Sequence, residues 1–349
     1  MPRVVGIDPG TVSIDVCGLD DGRLVLDRSW PTAEALAKPD ELLRFLRSAG
    51  EPELVAGLSG YGLPLVPANR ATEEDWRLAF LAAPGVEGGI GGLRRLARII
   101  AGAGVQMLFL PGVVHLDTVP AHRKLNRVDL GTADKVGAAA LAIVEQAERL
   151  GKPITETAFV LLELGGAFTA AVAVERGRIV DGVGGTGGPL GWQSSGALDG
   201  EVAFLAGTVE KDLLFRGGVE SIRAARPTLG GAALEAFIEG AVKAVQSLRV
   251  SAPGSREVVL SGRHAGQVHA ALADRLGSAT EVVPLRGFAR AAKQGAQGAA
   301  LLADGLMNGR HSDLVASLRL RHAKGSALDH LFVVDAAAAR RRLGLDVNG

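Results

Sequence analysis

Read for its apolar and polar alternation, the chain opens on three short strands. Arg3 to Asp8, Val12 to Leu19 and Arg23 to Trp30 are bounded by Pro9-Gly10 and Asp20-Asp21-Gly22 turns. The periodicity then becomes helical. Glu41 to Ser48 predicts a short amphipathic helix, Leu54 to Leu58 a buried strand, Leu93 to Ile100 a helix, and Val105 to Leu110 another buried strand. The Pro- and Gly-rich stretch 57–92 is expected to be an insertion. Thr132 to Leu150, free of Pro and rich in Ala, predicts the clearest helix of the chain, capped by Thr132 and ended at Gly151. The pattern then begins again. Strands are expected over Thr157 to Leu164, Ala167 to Glu175 and Arg178 to Asp181, with Arg176-Gly177 as the hairpin turn. Helices follow between Asp199 and Val250, a strand at Glu257 to Leu260, a helix over Gly266 to Leu276, a strand near Glu281 to Pro284 and a helix over Ala289 to Leu306. Three strands followed by alternating helices and strands, twice over, predict an α/β fold of two similar lobes. The expected boundaries are 1–150 for the first lobe and 151–310 for the second. Residues 311–349, with a final basic helix, are expected to pack on the second lobe.

Length and charge narrow the classes of partner. At 349 residues the chain exceeds what one core usually organises, which also favours two lobes with a ligand between them. Lys plus Arg and Asp plus Glu number 38 each, with no basic block, so neither nucleic acid nor an anionic membrane is expected as a partner. Cys17 alone cannot form a disulfide framework or a cysteine metal cage, and a reducing cytoplasm suits it. The start, Met1 to Gly6, goes directly into a strand, so no secretory signal is expected. Ile99 to Leu116 carries no formal charge, but Gly102, Gly104, Pro111 and Gly112 interrupt it, so it reads as core and not as a membrane span.

Two glycine turns, about half the chain apart, carry the candidate chemistry. Gly6-Ile7-Asp8-Pro9-Gly10-Thr11-Val12-Ser13 and Glu163-Leu164-Gly165-Gly166-Ala167-Phe168-Thr169 each follow an apolar strand. Glycine lets a backbone turn sharply, approach a phosphate chain and offer N–H groups to it, and the hydroxyls of Thr11, Ser13 and Thr169 would add donors. Asp8 and Glu163 cannot hold phosphate, but either can anchor magnesium through water. Asp8 can equally cap its own turn. Asp134, in the first turn of the Thr132 helix, would complement the helix dipole whatever else it does. His115, Asp117, His122, Arg123, Lys124 and Arg127 form a polar segment that would also suit a solvated loop. The histidines lack metal-ligand spacing.

These segments resemble the superfamily of acetate kinases, sugar kinases, actin and heat-shock ATPases. Gly6 to Ser13 is similar to its first phosphate motif, Glu163 to Thr169 to its second, and Val258-Val259-Leu260-Ser261-Gly262-Arg263 to the motif that packs on adenosine. The helices Thr132 to Leu150 and Ala291 to Gly305 resemble its connecting helices, with Gly137, Ala138, Gly295, Ala296, Gly298 and Ala299 allowing close crossing. Gly184 to Gly191, running into Ser195 to Gly200, resembles the acetate and butyrate kinase branch. Over the full length the chain is similar to a predicted butyrate-kinase-like family that shares the run Arg127 to Val136.

The resemblance implies a duplicated actin-like ATPase fold with ribonuclease-H-like lobes and a nucleotide cleft between them. It further implies ATP and Mg²⁺ as cofactors, a short carboxylic acid as phosphoryl acceptor, and a small-molecule kinase that could be a homodimer. On the same grounds Asp134 is the leading general base, with Asp129 its competitor, and Asp117 and Arg123 are further catalytic candidates. Gly10, Thr11, Ser13, Gly165, Gly166, Thr169, Gly262 and Arg263 would bind the nucleotide, while Asp8 and Glu163 would serve the metal. Three departures stand out: Gln193 and Ser194 where acetate kinases have an arginine, Glu163 for a usual Asp, and Arg263 for a usual Gly. The first suits a rival reading, a nucleotide-switched ATPase that acts on a protein partner. Iron–sulfur activators of the same fold are excluded, because Cys17 alone cannot hold a cluster.

Overall fold

The computed structural model describes residues 2–10, 12–57, 60–81, 83 and 90–345. In chain order its first half runs β1 (Arg3–Pro9), β2 (Ser13–Asp20), β3 (Arg23–Pro31), α1 (Thr32–Ala37), α2 (Pro39–Leu46), β4 (Leu54–Gly57), α3 (Glu73–Phe80), α4 (Ile90–Gly102), β5 (Met107–Leu108), α5 (Ala121–Lys124) and α6 (Ala133–Leu150). The second runs β6 (Phe159–Leu164), β7 (Thr169–Glu175), β8 (Arg178–Val183), α7 (Gly200–Ala206), α8 (Val219–Ala225), α9 (Gly230–Arg249), β9 (Glu257–Ser261), α10 (Ala265–Leu276), β10 (Glu281–Pro284), α11 (Gln294–Leu306), α12 (Ser312–Ser317) and α13 (Ala336–Arg342).

The strands form two five-stranded mixed sheets of identical plan, β3-β2-β1-β4-β5 and β8-β7-β6-β9-β10. In each, three antiparallel strands joined by hairpins are extended by two strands parallel to the first. The outer hairpin turns, Asp21-Gly22 and Arg176-Gly177, place both residues at φ of 52 to 70°, which matches the right-handed twist of the flanking strands. Each sheet has its own apolar core. Ile7, Val16, Trp30 and Phe109 lie in one, and Val160, Leu162, Phe237 and Leu272 in the other.

Two compact units result. Unit 1 comprises Met1–Val128, Thr132–Thr155 and Gly287–Gly349; unit 2 comprises Asp129–Gly131 and Glu156–Arg286. The division at 150 and 310 is therefore corrected. Helix α11 belongs with unit 1 because its small residues let it lie directly on β1 and α6. A methyl group at Gly6 would stand 2.1 Å from the Ala296 carbonyl oxygen, and one at Gly298 1.7 Å from that of Gly137. The tail is also a correction, since it packs on unit 1 and not on the second lobe. Arg319 binds the Asp117 carboxylate at 2.6 Å, Arg340 binds Glu74 at 2.6 Å, and Asn126 Oδ1 accepts the N–H groups of Phe332 and Val333. Leu343 and Leu345 join the unit 1 core.

Part of the expected insertion, together with Leu58 and Thr11, lies outside the described residues. The described part includes α3, which starts at a capping box in which Thr72 and Asp75 each satisfy the other's backbone N–H. Its Trp76 meets Phe109 edge to face at 5.0 Å. Helix α11 starts later than the sequence pattern suggests. The Asp27 carboxylate takes the N–H groups of Arg290, Ala291 and Ala292, and Gln297 Oε1 takes those of Phe288 and Ala289, so this stretch is a tethered loop. Among the described residues no helix is long and apolar enough to cross a membrane.

Candidate functional site

In unit 1 the β1–β2 turn brings chemistry to the end of the first strand. Asp8 pairs with Asp15 and Pro9 with Ile14 across the strands, and the Gly10 N–H bonds to the Ser13 carbonyl at 2.9 Å, closing the turn on itself. The Gly10 amide is thus engaged within the hairpin. Ser13 keeps partial exposure, and its hydroxyl donates to Asp15 Oδ2 at 2.7 Å.

The buried carboxylate of Asp8 shares a glycine with Asp134 from the first turn of α6. A methyl at Gly295 would lie 2.7 Å from Asp8 Oδ2 and 3.2 Å from Asp134 Cβ, so only a bare backbone leaves room for both acids on α11. Thr132 does not cap α6 with its side chain; its hydroxyl donates to Asp134 Oδ1, and the Lys135 ammonium donates to Asp134 Oδ2. Burial and the neighbouring Asp134 push the Asp8 carboxyl up to about 8, although Lys293 and Lys135 pull it down. Burial acts on Asp134 in the same direction. Lys135 and Thr132 outweigh it, and that carboxyl falls below its ordinary range. The result is one protonated and one ionised acid side by side, an arrangement a divalent cation relieves by displacing the proton. Among the described residues no cluster of three or more His, Cys, Asp or Glu is placed to hold a metal. Two carboxylates are a donor set that a hard cation keeping most of its own water, such as magnesium, could use.

Unit 2 repeats the hairpin with other side chains. Glu163 pairs with Ala170 and Leu164 with Thr169, and the Gly165 N–H bonds to the Phe168 carbonyl at 2.9 Å, the same ring as in unit 1. Glu163 lies over its own turn, with Oε1 3.5 Å from the place of a methyl on Gly165. Thr169 is the expected hydroxyl donor of this turn. It is fully buried, and its hydroxyl bonds to the Leu190 carbonyl at 3.1 Å. Phe168 is half-buried and meets Phe215 edge to face at 5.0 Å. Gly262, at φ 97°, lets the end of β9 touch this turn, where the His264 N–H bonds to the Leu164 carbonyl at 3.0 Å. Arg263 is exposed. His264 instead stacks on Trp192 at 3.9 Å, and Phe237 meets the same indole at 5.8 Å, so Trp192 is a packing element. Ser194 is buried, and its hydroxyl accepts the Gly196 N–H at 3.0 Å.

The remaining candidates are occupied or lie elsewhere. Asp129 is structural: its carboxylate takes the N–H groups of Gly131 and Thr186 and the Thr186 hydroxyl, fixing the loop after β8. Asp117 is bound by Arg319, and that guanidinium holds its carboxyl below the ordinary range, an unfavourable setting for a base. Arg123 sits on α5, half-buried. His115 is buried, and among the described residues neither of its ring nitrogens meets a hydrogen-bond partner. Sequence reasoning missed Lys293 and Asp15, whose Nζ and Oδ2 lie 3.4 Å apart beside the first hairpin. Asp15 looks like one more polar position in a strand, and Lys293 lies in a loop 285 residues beyond Asp8, so only the alternation of β2 pointed at either.

No curated protein matches the chain. Solved structures do. A propionate kinase from Francisella tularensis is similar with a TM-score of 0.59 and 11% identity, over 86% of this chain and 98% of that one. An acetate kinase from Porphyromonas gingivalis gives 0.58 and 13% over 86% and 98%, and an acetate kinase from Entamoeba histolytica 0.57 and 11% over 81% and 95%. The two mixed sheets thus have the α/β fold of the acetate kinases, in the actin-like ATPase class. A family model matches residues 6–333, and the chain belongs to that family, described as protein of unknown function (DUF1464).

Proposed function

We propose that the protein is an ATP-dependent phosphotransferase that uses magnesium and passes the phosphoryl group to a small carboxylic acid, as a butyrate-kinase-like enzyme would. The observation that carries this reading is the pairing of Asp8 with Asp134 over Gly295, flanked by Lys135 and Lys293. Phosphoryl transfer asks a protein for positioned charge more than for covalent chemistry. Asp8 and Asp134 would hold magnesium, which when bound neutralises phosphate oxygens. Lys135 keeps Asp134 ionised, and the closed turn around Gly10 fixes Asp8 on a rigid strand end. A short acid arrives already ionised at neutral pH. It needs no proton removed, so Asp134 acts here as an anchor, and its role as general base would return only for a hydroxyl acceptor. In unit 2, Gly165 and Gly166, by lacking side chains, together with Gly262 and the Arg263 guanidinium, are proposed for the nucleotide, and Glu163 for its metal through water.

The acid as acceptor rests on the likeness to acetate and propionate kinases and on the Gly184 to Gly200 segment. One observation favours the rival, a nucleotide-switched ATPase acting on a protein partner: Gln193 and Ser194 offer no cationic side chain, and Ser194 is buried. Incubation with ATP, magnesium and a panel of short acids, with hydroxylamine trapping of acyl phosphate, separates the two. Acid-dependent hydroxamate and ADP are expected. ADP release that no acid raises above background would overturn the kinase reading, and steady acid-independent release would support the rival.

A further inference from the structure

The loop before α11 is tied down by far more than a helix start requires. Asp27 on β3 accepts three of its N–H groups, at 2.7 to 3.0 Å. Gln297 is buried, accepts two more with Oε1 and donates its amide to the Ala292 carbonyl at 2.7 Å. Asp15, fully buried on β2, takes the Lys293 N–H at 3.3 Å. These bonds fix the main chain from Phe288 to Lys293, and the last of these residues carries an exposed side chain.

Lys293 extends back over the first hairpin. Its ammonium stands 3.4 Å from Asp15 Oδ2 and would be 3.3 Å from a methyl on Gly10, so the bare turn makes room for it. The Asp15 oxygen it approaches already holds the Ser13 hydroxyl at the shorter distance of 2.7 Å. An ammonium has three donors, and this long contact occupies one of them. The groups facing it are Asp15, Asp8 and the turn; Lys135 is engaged with Asp134.

We propose that Lys293 is a phosphate-binding residue of the first hairpin, resting against Asp15 until a nucleotide polyphosphate draws its ammonium across the Gly10 turn. This deepens the phosphotransferase reading and rests on it, because the ligand is the same ATP. A rigid main chain with a long side chain suits that role: the position is fixed in advance and only the ammonium moves.

The test is calorimetric binding of ATP with magnesium, and of adenosine, to the full chain and to the Lys293→Met and Lys293→Arg variants, each checked for folding by thermal unfolding. Charge-assisted contacts of this kind imply a roughly ten- to hundredfold loss of ATP affinity in Lys293→Met, with adenosine affinity unchanged. Lys293→Arg, which keeps the charge in a bulkier planar group, is expected to bind ATP more tightly than Lys293→Met. Should Lys293→Met not fold, Lys293→Gln replaces it. A neutral variant that binds ATP as tightly as the native protein overturns the assignment of Lys293 and leaves the phosphotransferase reading standing. Native protein that binds no ATP overturns both. A Lys293→Arg variant as weak as Lys293→Met also overturns the assignment, because charge would then not be what matters.

Discussion

The two glycine hairpins share a backbone and differ in what surrounds it. Both close the same ring, Gly10 N–H to Ser13 and Gly165 N–H to Phe168, and both follow the innermost strand of a sheet of the same order. Around the first turn stand Asp8, Asp15, Asp134, Lys135 and Lys293. At the second, Ala170 replaces Asp15, Phe168 replaces Ser13, and the side chains have settled into packing with Phe215 and Leu190. Backbone geometry alone therefore does not make a site. What distinguishes the first copy is that α6 and the loop before α11 both bring charge to it.

The largest effect should expose that asymmetry. Asp8→Ala is expected to reduce magnesium-dependent turnover by about 10²-fold or more, the scale of losing a positioned charge at a phosphoryl-transfer centre. Asp134→Asn should approach the same loss, whereas Glu163→Gln should cost less than about tenfold. Steady-state ADP release measures all three. If Glu163→Gln proved as damaging as Asp8→Ala, the second hairpin would be an equal partner and the contrast would fail.

Acid offers a way to separate the units by stability. Burial, with Lys124 adding to it, pushes the His115 ring down to about 4, while the nearby Gly112 backbone and Asp329 oppose the shift. In the unfolded chain that ring takes its proton near 6.5, so between the two values the unfolded state binds more protons and stability falls as pH falls. At about 1.36 kcal/mol per pH unit, the loss is at most about 3 kcal/mol by pH 4. His264 in unit 2 is also lowered by burial, but it stacks on Trp192 and bonds to Gln267 at 3.1 Å. Hydrogen exchange from pH 7 to 4 should show unit 1 amides losing protection first, and His115→Leu should flatten that slope. Earlier loss in unit 2 would reverse the order.

Gly295→Ala is a finer probe, because it crowds the acid pair without removing a charge. With Asp8 Oδ2 only 2.7 Å from the added methyl, one acid must move, and overpacking of this kind typically costs about 1–3 kcal/mol. Thermal unfolding and turnover should both fall. At Gly165 the nearest atom is the Phe168 carbonyl oxygen at 3.0 Å, and the expected loss of turnover is smaller. Equal losses at both glycines would mean that the pair at Gly295 has no special role.

Much of this plan was legible in the sequence, for local reasons. Alternation, hairpin glycines and the break after Leu150 mark strands and turns by short-range physics, and they gave both sheets almost strand for strand. Asp8, Asp134 and Glu163 were visible because an acid at a strand end or helix start is a local signal. Lys293 and Asp15 were not, since their meeting depends on a loop tethered by Asp27 from another strand. The tail was misplaced for the same reason: Arg319 with Asp117 and Arg340 with Glu74 join residues 202 and 266 positions apart, and no periodicity encodes such pairs. Helix α3 was a different failure. Its Thr72 and Asp75 spelled out a capping box that the surrounding glycines and prolines obscured.

Thr169 makes the smallest and most specific test of the comparison. The equivalent position in unit 1 is Ile14, equally buried, so this point of the hairpin tolerates a purely apolar side chain when nothing opposite needs a donor. In unit 2 the Leu190 carbonyl does need one, and Thr169 supplies it. Thr169→Val keeps the shape and removes the hydroxyl, so a loss of about 1 kcal/mol is expected from chemical denaturation. ATP affinity should stay within about twofold, because a hydroxyl committed to the protein has nothing left to offer a phosphate. A marked loss of ATP binding at native-like stability would mean that the side chain rotates toward ligand when ATP arrives, and the second hairpin would regain the active part that its resting structure denies it.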